Sequence, residues 1–443
     1  MKIPQDKDLN KNQRPGNRFF YGWAIVIVSF FTFLVTMGPR TAFGNLVQPW
    51  ESEFGWNMEQ ISLAASLGLI LYGLSQPITG WFVNRFGPRK VILWGLIAYG
   101  ISSILTSLVS NLWQLYLIYG LIMGISWSAC TTISLSALTS SWFYKKRGLA
   151  LSITQSGMAM GQFLLVPISM LLIINHGWRL AVGFLGGLVL IVALPLVWKL
   201  VRDTPQSMGL LPDGRKEFSN TAKSASETSK AAPLPQHPST GLRQAMGTPS
   251  FWLLVGSFFV CGLTAHMISV HFVPAAIGAG YSPLKAATAG GLVGGASFAG
   301  IWVSGFVSDF TGRKIPLAGL YLLRGVGLIM LMYSFNSTTL YLSAIMIGFG
   351  TLGTASLTAG LVADMYGVAS MGTILGMISM GHQIAGGVSV YLAGMLAHES
   401  GNYHLVFLPS ALFLFAAFLA CLFLQEQRPH PTVVATPAAA PLK

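Results

Sequence analysis

Two arginines stand where a polypeptide rarely leaves a charge. Arg40 closes the run FFYGWAIVIVSFFTFLVTMGPR, and Arg324 lies inside YLLRGVGLIM. A charge at mid-bilayer costs at least ~2.5–3.5 kcal/mol on insertion scales, so such a group normally faces a cavity or a partner. The guanidinium is a planar fork of donors that matches a carboxylate. Arg40, placed just after Gly38-Pro39, is therefore read as a carboxylate-binding group. The plainer alternative is an interfacial arginine that snorkels, about 30 Å along the helix from Phe20. Arg324 stands about 15 Å beyond Lys314 on a helix. A second substrate contact and a structural role, bonded to carbonyls or a polar neighbour, both fit it.

Histidines are the other groups able to change charge near neutral pH. His382, beside Gln383, is read as a site residue, and His266 and His271 as weaker candidates. A neutral histidine bridging two helices is the competing reading for each. His266 and His271 are five residues apart, which does not put them on one helix face, so no metal pair is expected. Asn45, Tyr72, Gln76, Trp127 and Gln155 complete the candidate substrate-binding set. None of the thirteen Asp and Glu falls inside an apolar run, which removes the usual acidic proton relay and leaves the site basic. Cys130, Cys261 and Cys421 lie in apolar runs without CxxC spacing and read as small apolar filler. No cofactor and no metal is expected.

The elements that must hold these residues are membrane helices. Of 443 residues, 53% are hydrophobic and 9% charged, a balance no soluble core can bury. Twelve apolar runs of spanning length lie between residues 20 and 425. The net charge of +13 is not a nucleic-acid footprint, because 22 of the 26 Lys and Arg fall in alternate loops and the tails. That asymmetry is the positive-inside pattern and predicts cytoplasmic termini. The polar, Ser/Pro/Lys-rich stretch 203–248 reads as a disordered cytoplasmic linker, with six runs on either side. The expected organisation is a cytoplasmic tail (1–18), a six-helix bundle (19–202), the linker (203–248), a second bundle (249–426) and a disordered cytoplasmic tail (427–443).

The halves repeat. GWFVNRFGPRK at 80–90 returns as GFVSDFTGRK at 305–314, aligning Gly80, Asn84, Gly87 and Arg89 with Gly305, Asp309, Gly312 and Lys314 at an offset of 225. Together with Arg85 and Arg313 they form a candidate gate: glycines that let helices approach, and charges that pair or meet helix ends across the cytoplasmic seam. Pure topology charges are the alternative. Gly148 and Gly157 align with Gly372 and Gly381 at an offset of 224. Two related bundles around a mid-membrane site are a transporter architecture.

This loop pair resembles the signature of the major facilitator superfamily over essentially the whole chain. Gly22-Trp23, Pro39-Arg40, WFYKKRGLALSITQSGMAMG at 142–161, GWR at 177–179 and MGLLPDG at 208–214 resemble its monocarboxylate transporter family and the related bacterial oxalate/formate exchangers. The resemblance implies an all-α membrane protein, twelve transmembrane helices in two pseudo-symmetric six-helix bundles, and a carboxylate bound at Arg40. It also implies an Asp and an Arg in the eighth span, where this chain has Ser297 and Ile301. The expected activity is secondary transport of a small organic carboxylate across the cell (inner) membrane, with a coupled proton or counter-anion. Proton-driven drug efflux and a transporter-like sensor are the alternatives. An enzyme is not expected, since GxSxG, HExxH and phosphate-loop patterns are missing.

Overall fold

The computed structural model describes residues 20–143, 146–210, 242–334, 336–366 and 368–425. The 1–18 and 427–443 tails and most of the 203–248 linker lie outside the described residues. At the linker's ends are a short turn, Pro205–Met208, and a helix, Leu242–Met246.

The described elements are helices, and eleven helical stretches are long and apolar enough to cross a membrane. They match the expected runs. The run expected at 370–396 is the helix Val368–Ser400, which is not among the eleven. Large apolar side chains such as Ile191, Phe306 and Leu412 point outward, as a lipid-facing surface requires.

Local sequence sets the helix ends. Asn57 accepts from the Gln60 amide at 2.8 Å while the Gln60 side chain accepts from the Asn57 amide at 3.1 Å, a reciprocal cap worth about 1 kcal/mol. Gly87 and Gly312, paired in the repeat, both turn the chain at positive φ (84° and 80°), a conformation that disfavours any other residue. Gly38-Pro39 does not break the helix. The helix Gly22–Thr41 carries Pro39 inside it, and the break falls at Ala42, before the helix Phe43–Phe54. Proline removes one hydrogen bond, but the Ala42 amide still reaches the Gly38 carbonyl at 2.9 Å, which closes the turn and keeps Arg40 on helical backbone.

The helices gather round two apolar cores. One includes Ile25, Phe33, Leu96, Leu135 and Val189; the other includes Phe251, Leu317, Leu328, Ile347 and Leu414. Three seams join them: Phe43–Phe54 on Pro249–Gly278, Met58–Phe86 on Val368–Ser400, and Arg147–His176 on Pro283–Thr311. Glycine permits each seam. A Cβ on Gly44 would stand 2.6 Å from the Val270 carbonyl oxygen, one on Gly394 would strike the Ser62 side chain, and one on Gly294 would stand 2.7 Å from the Ala159 oxygen. The seams also carry hydrogen bonds from Tyr391 to Glu59 at 2.7 Å and from Gln162 to the Gly290 carbonyl at 3.4 Å.

These contacts lie in the half of the molecule nearer Gly55, Gly177 and Gly401. At the other end, which carries Phe20 and Gln425, no atom of another described element comes within 4 Å of where a Cβ on Gly80, Gly305 or Gly376 would stand. The expectation that Gly80 and Gly305 bring helices together is therefore not met in this conformation. Gly157 does pack, against the Phe30 carbonyl, whereas its counterpart Gly381 faces open space. The helix contacts repeat, Gly22–Thr41 on Arg147–His176 as Pro249–Gly278 on Val368–Ser400, but the contacts of these two glycines do not.

Candidate substrate site

Arg40 sits at the junction of the two bundles. Its guanidinium carbon lies 3.8 Å from the ring centre of Trp127 and 5.7 Å from that of Tyr72. Stacking on a desolvated ring contributes about 2 kcal/mol and fixes the guanidinium plane. One Nη meets His266 Nδ1 of the second bundle at 2.9 Å, so that nitrogen accepts and the neutral ring carries its proton on Nε2. Among the described residues, no carboxylate pairs with Arg40.

The aromatic floor comes from an irregular span. The stretch Tyr116–Met123 is wound as a π-helix, the segment Gly124–Cys130 is α-helical, and Thr131 breaks the chain at φ −127°, ψ −128°. Trp127 lies between the two irregularities, its ring 4.3 Å from Tyr72. Such π-helical insertions are frequent at functional sites.

Glycine also places the histidines. A Cβ on Gly262 would collide with the His382 carbonyl, and one on Gly386 with the His266 ring. The helices Pro249–Gly278 and Val368–Ser400 therefore approach closely, bringing the rings of His266 and His382 to 5.2 Å, edge to face. Arg40, Trp127 and His266 line a cavity of about 40 Å³ with Tyr99, Tyr119 and Ser269. Trp127 Nε1 is buried without a hydrogen-bond partner, and the Gln383 side chain stands beside the buried His266 ring. Buried polar atoms are rarely left unsatisfied, so this wall is built for a polar occupant.

The remaining candidates are distributed unevenly. Tyr72 joins the site through Trp127, with its hydroxyl 3.4 Å from Thr132 Oγ1. Asn45 does not join it: buried, it donates to the Val166 carbonyl at 2.9 Å and Ser169 Oγ at 2.8 Å, clamping two helices of one bundle. His271 is likewise a bridge, 3.1 Å from the Tyr403 hydroxyl and donating to the Val390 carbonyl at 2.9 Å. Gln76 and Gln155 are half-buried and do not line this cavity. Arg324, fully buried in the second bundle, reaches Cys261 rather than the cavity. Ser297, where the resemblance implies an Asp, bonds the Val293 and Gly348 carbonyls. Tyr99, Tyr119 and Ser269 were not singled out from the sequence; an aromatic in a long apolar run carries no sign of facing a cavity.

Several candidate gate residues have partners among the described residues. Arg85 lies 5.1 Å from the Trp81 ring. The Arg89 amide donates to Asp203 at 2.8 Å, and its side chain donates to the Trp198 carbonyl. Arg313 pairs with Asp364 at 3.2 Å, and Lys314 donates to the Leu424 carbonyl at 3.1 Å. The side chains of Asn84 and Asp309 lie outside the described residues.

Comparison with known proteins decides the family. The model of the Major Facilitator Superfamily matches residues 26–318 and 296–442. The chain belongs to that superfamily. It is a multi-pass membrane transporter and not an enzyme. It is 26% identical to monocarboxylate transporter 13 of Rattus norvegicus, over 94% of each chain. It is 27% identical to an uncharacterised MFS-type transporter, YcxA, of Bacillus subtilis (strain 168), over 93% of this chain and 97% of the relative. The fold is also that of a bacterial homologue of the human lysosomal transporter Spinster, with a TM-score of 0.68 at 17% identity, covering 91% and 97% of the two chains.

Proposed function

We propose that this transporter carries a small organic monocarboxylate across the cell (inner) membrane, by alternating access between its two bundles, with Arg40 as the carboxylate partner. The observation that supports this most is a guanidinium that has no counter-ion among the described residues, held rigid by Trp127 and flanked by the unpartnered indole N–H of Trp127. A bound carboxylate would neutralise the charge and take the free edge of the guanidinium fork. One cation lines the cavity and Arg324 does not, which favours one carboxylate over two. The space beside Arg40, about 40 Å³, suits a carboxyl-sized group, whereas drug-sized ligands fill about 300–1,000 Å³. The rat relative's name agrees with this substrate class. If the termini are cytoplasmic, as the basic loops imply, the tight seams close the outer side and the conformation faces inward. The test is a thermal-shift screen of small aliphatic and aromatic acids, then counterflow in proteoliposomes. Arg40→Ala is expected to abolish uptake with folding intact; near-normal uptake would refute the assignment.

A further inference from the structure

Arg324 poses a problem that the central cavity does not solve. It is fully buried in the second bundle and its Nε has no partner. A guanidinium stays protonated in proteins, and a buried unpaired charge costs several kcal/mol. Its nearest polar contacts are both on Cys261: Nη1 is 3.5 Å from Sγ, and Nη2 donates to the carbonyl at 3.3 Å. Among the described residues, no carboxylate forms an ion pair with it. Among the described residues, the ionisable group in hydrogen-bond contact with Arg324 is the Cys261 thiol.

The surroundings of that sulfur suit two protonation states. Thr354 Oγ1 lies 3.1 Å from Sγ and 2.7 Å from the Thr351 carbonyl. A hydroxyl has one hydrogen. With a thiol, S–H donates to Thr354 while Thr354 donates to Thr351; with a thiolate, the Thr354 hydroxyl turns to the sulfur. On the cavity side, His382 is a close neighbour of Cys261, its backbone packed on Gly262, and its ring stands 5.2 Å from His266, which holds Arg40. The titratable and charged groups facing Cys261 are thus Arg324 and Tyr321 from the helix Lys314–Met332, His382 from Val368–Ser400, Cys421 from His404–Leu422, and Arg40 through His266.

We propose that Cys261 is the proton-binding site of this transporter: a thiolate paired with Arg324 that takes its proton from the cavity through His382. The step is a proton transfer alone. The His382 imidazolium N–H breaks, its proton joins a lone pair of Cys261 sulfur, and the imidazole returns neutral to accept the next proton from cavity water. Once Cys261 is neutral, the charge of Arg324 adds to that of Arg40 in drawing an anion. An anion bound at Arg40 in turn favours the proton on Cys261, because such linkage is reciprocal. The site thereby supplies the proton relay that the missing mid-span carboxylate leaves vacant, and assigns the coupling ion on the carboxylate reading given above.

The test needs no substrate. Infrared spectra of the full chain in lipid, wild type minus Cys261→Ser, isolate the S–H stretch of this sulfur from those of Cys130 and Cys421. The expected result is no Cys261 S–H band at neutral pH and a band that appears on acidification. Arg324→Gln should retain the band through the neutral range. Thr354→Val, a gentler change should Arg324→Gln not fold, should move the transition to higher pH. Arg40→Gln, which imitates an anion neutralising Arg40, should move it the same way. A Cys261 S–H band that persists at neutral pH in the wild type overturns the proposal, and a transition unmoved by Arg40→Gln overturns the coupling. A protein with this titration but no uptake of any acid would refute the carboxylate reading alone; uptake with a permanently protonated Cys261 would refute only the relay.

Discussion

Arg40→Lys separates the carboxylate fork from charge alone. Lysine keeps the positive charge but replaces the rigid planar guanidinium with a flexible ammonium. In the wild type, one Nη is committed to His266 and the plane is pinned by Trp127, leaving the other edge for two parallel bonds to a carboxylate. A hydrogen bond to a charged group contributes about 1.5–3 kcal/mol, and lysine can reproduce one of the two. The loss of the second predicts a roughly 10- to 150-fold rise in the dissociation constant of the carried acid, at 1.4 kcal/mol per tenfold. Arg40→Ala, which removes both bonds and the charge, should abolish binding. The assay is the midpoint of ligand-dependent thermal stabilisation, checked by the half-saturation of counterflow. If lysine binds as well as arginine, the planar fork is not what recognises the substrate; if alanine also binds as well, Arg40 is a snorkelling residue.

Three further substitutions probe what positions the site. Gly386→Ala puts a methyl group into the His266 ring; it should cost about 1–3 kcal/mol by overpacking and reduce uptake more than thermal stability, because the displaced ring releases Arg40. His271→Phe removes the links to Tyr403 and Val390, so melting should fall, for a loss of about 1–3 kcal/mol at two bonds, with the acid's affinity unchanged. Tyr391→Phe breaks the bond to Glu59 across the seam; by up to about 3 kcal/mol for a charged acceptor, it should favour the conformer open at that end, raising labelling of a single cysteine placed at the buried Ser62 by an impermeant thiol reagent.

The fold could be read from the sequence because lipid imposes one strong rule. Backbone polar groups must be satisfied within the helix, so apolar run length alone located the spans and the loop repeat exposed the two halves. The site was readable only where a residue broke that rule. Arg40 and His266 are polar among apolar neighbours and were found; Tyr99 and Tyr119, which line the same cavity, are ordinary members of apolar runs. Asn45 and His271 break the rule as well, yet they serve helix contacts, because a buried polar group bridges backbones as readily as it binds a ligand. No sequence pattern separates the two uses. The gate motif is a different case: glycine spacing records where helices can meet, whereas the seams formed depend on which conformation is populated.

The two buried arginines illustrate how far charge bookkeeping carries beyond pattern. Each must be compensated, and among the described residues neither has a carboxylate partner. Arg40 has a stacked ring, a neutral histidine and an adjoining cavity with an unpartnered indole N–H, so its compensation has room to arrive from outside. Arg324 has no such opening; sulfur lies at one Nη and a carbonyl at the other, so its compensation must already be inside. An external anion for one and an internal thiolate for the other satisfy both, and the His266–His382 contact joins the two sites. That arrangement predicts that a Cys261→Asp variant, which fixes the internal charge more firmly, should hold Arg324 neutralised at neutral pH. It should weaken acid binding at Arg40 relative to Cys261→Ser, which leaves Arg324 uncompensated. The reverse order in a thermal-shift titration would mean that the two arginines do not sense each other.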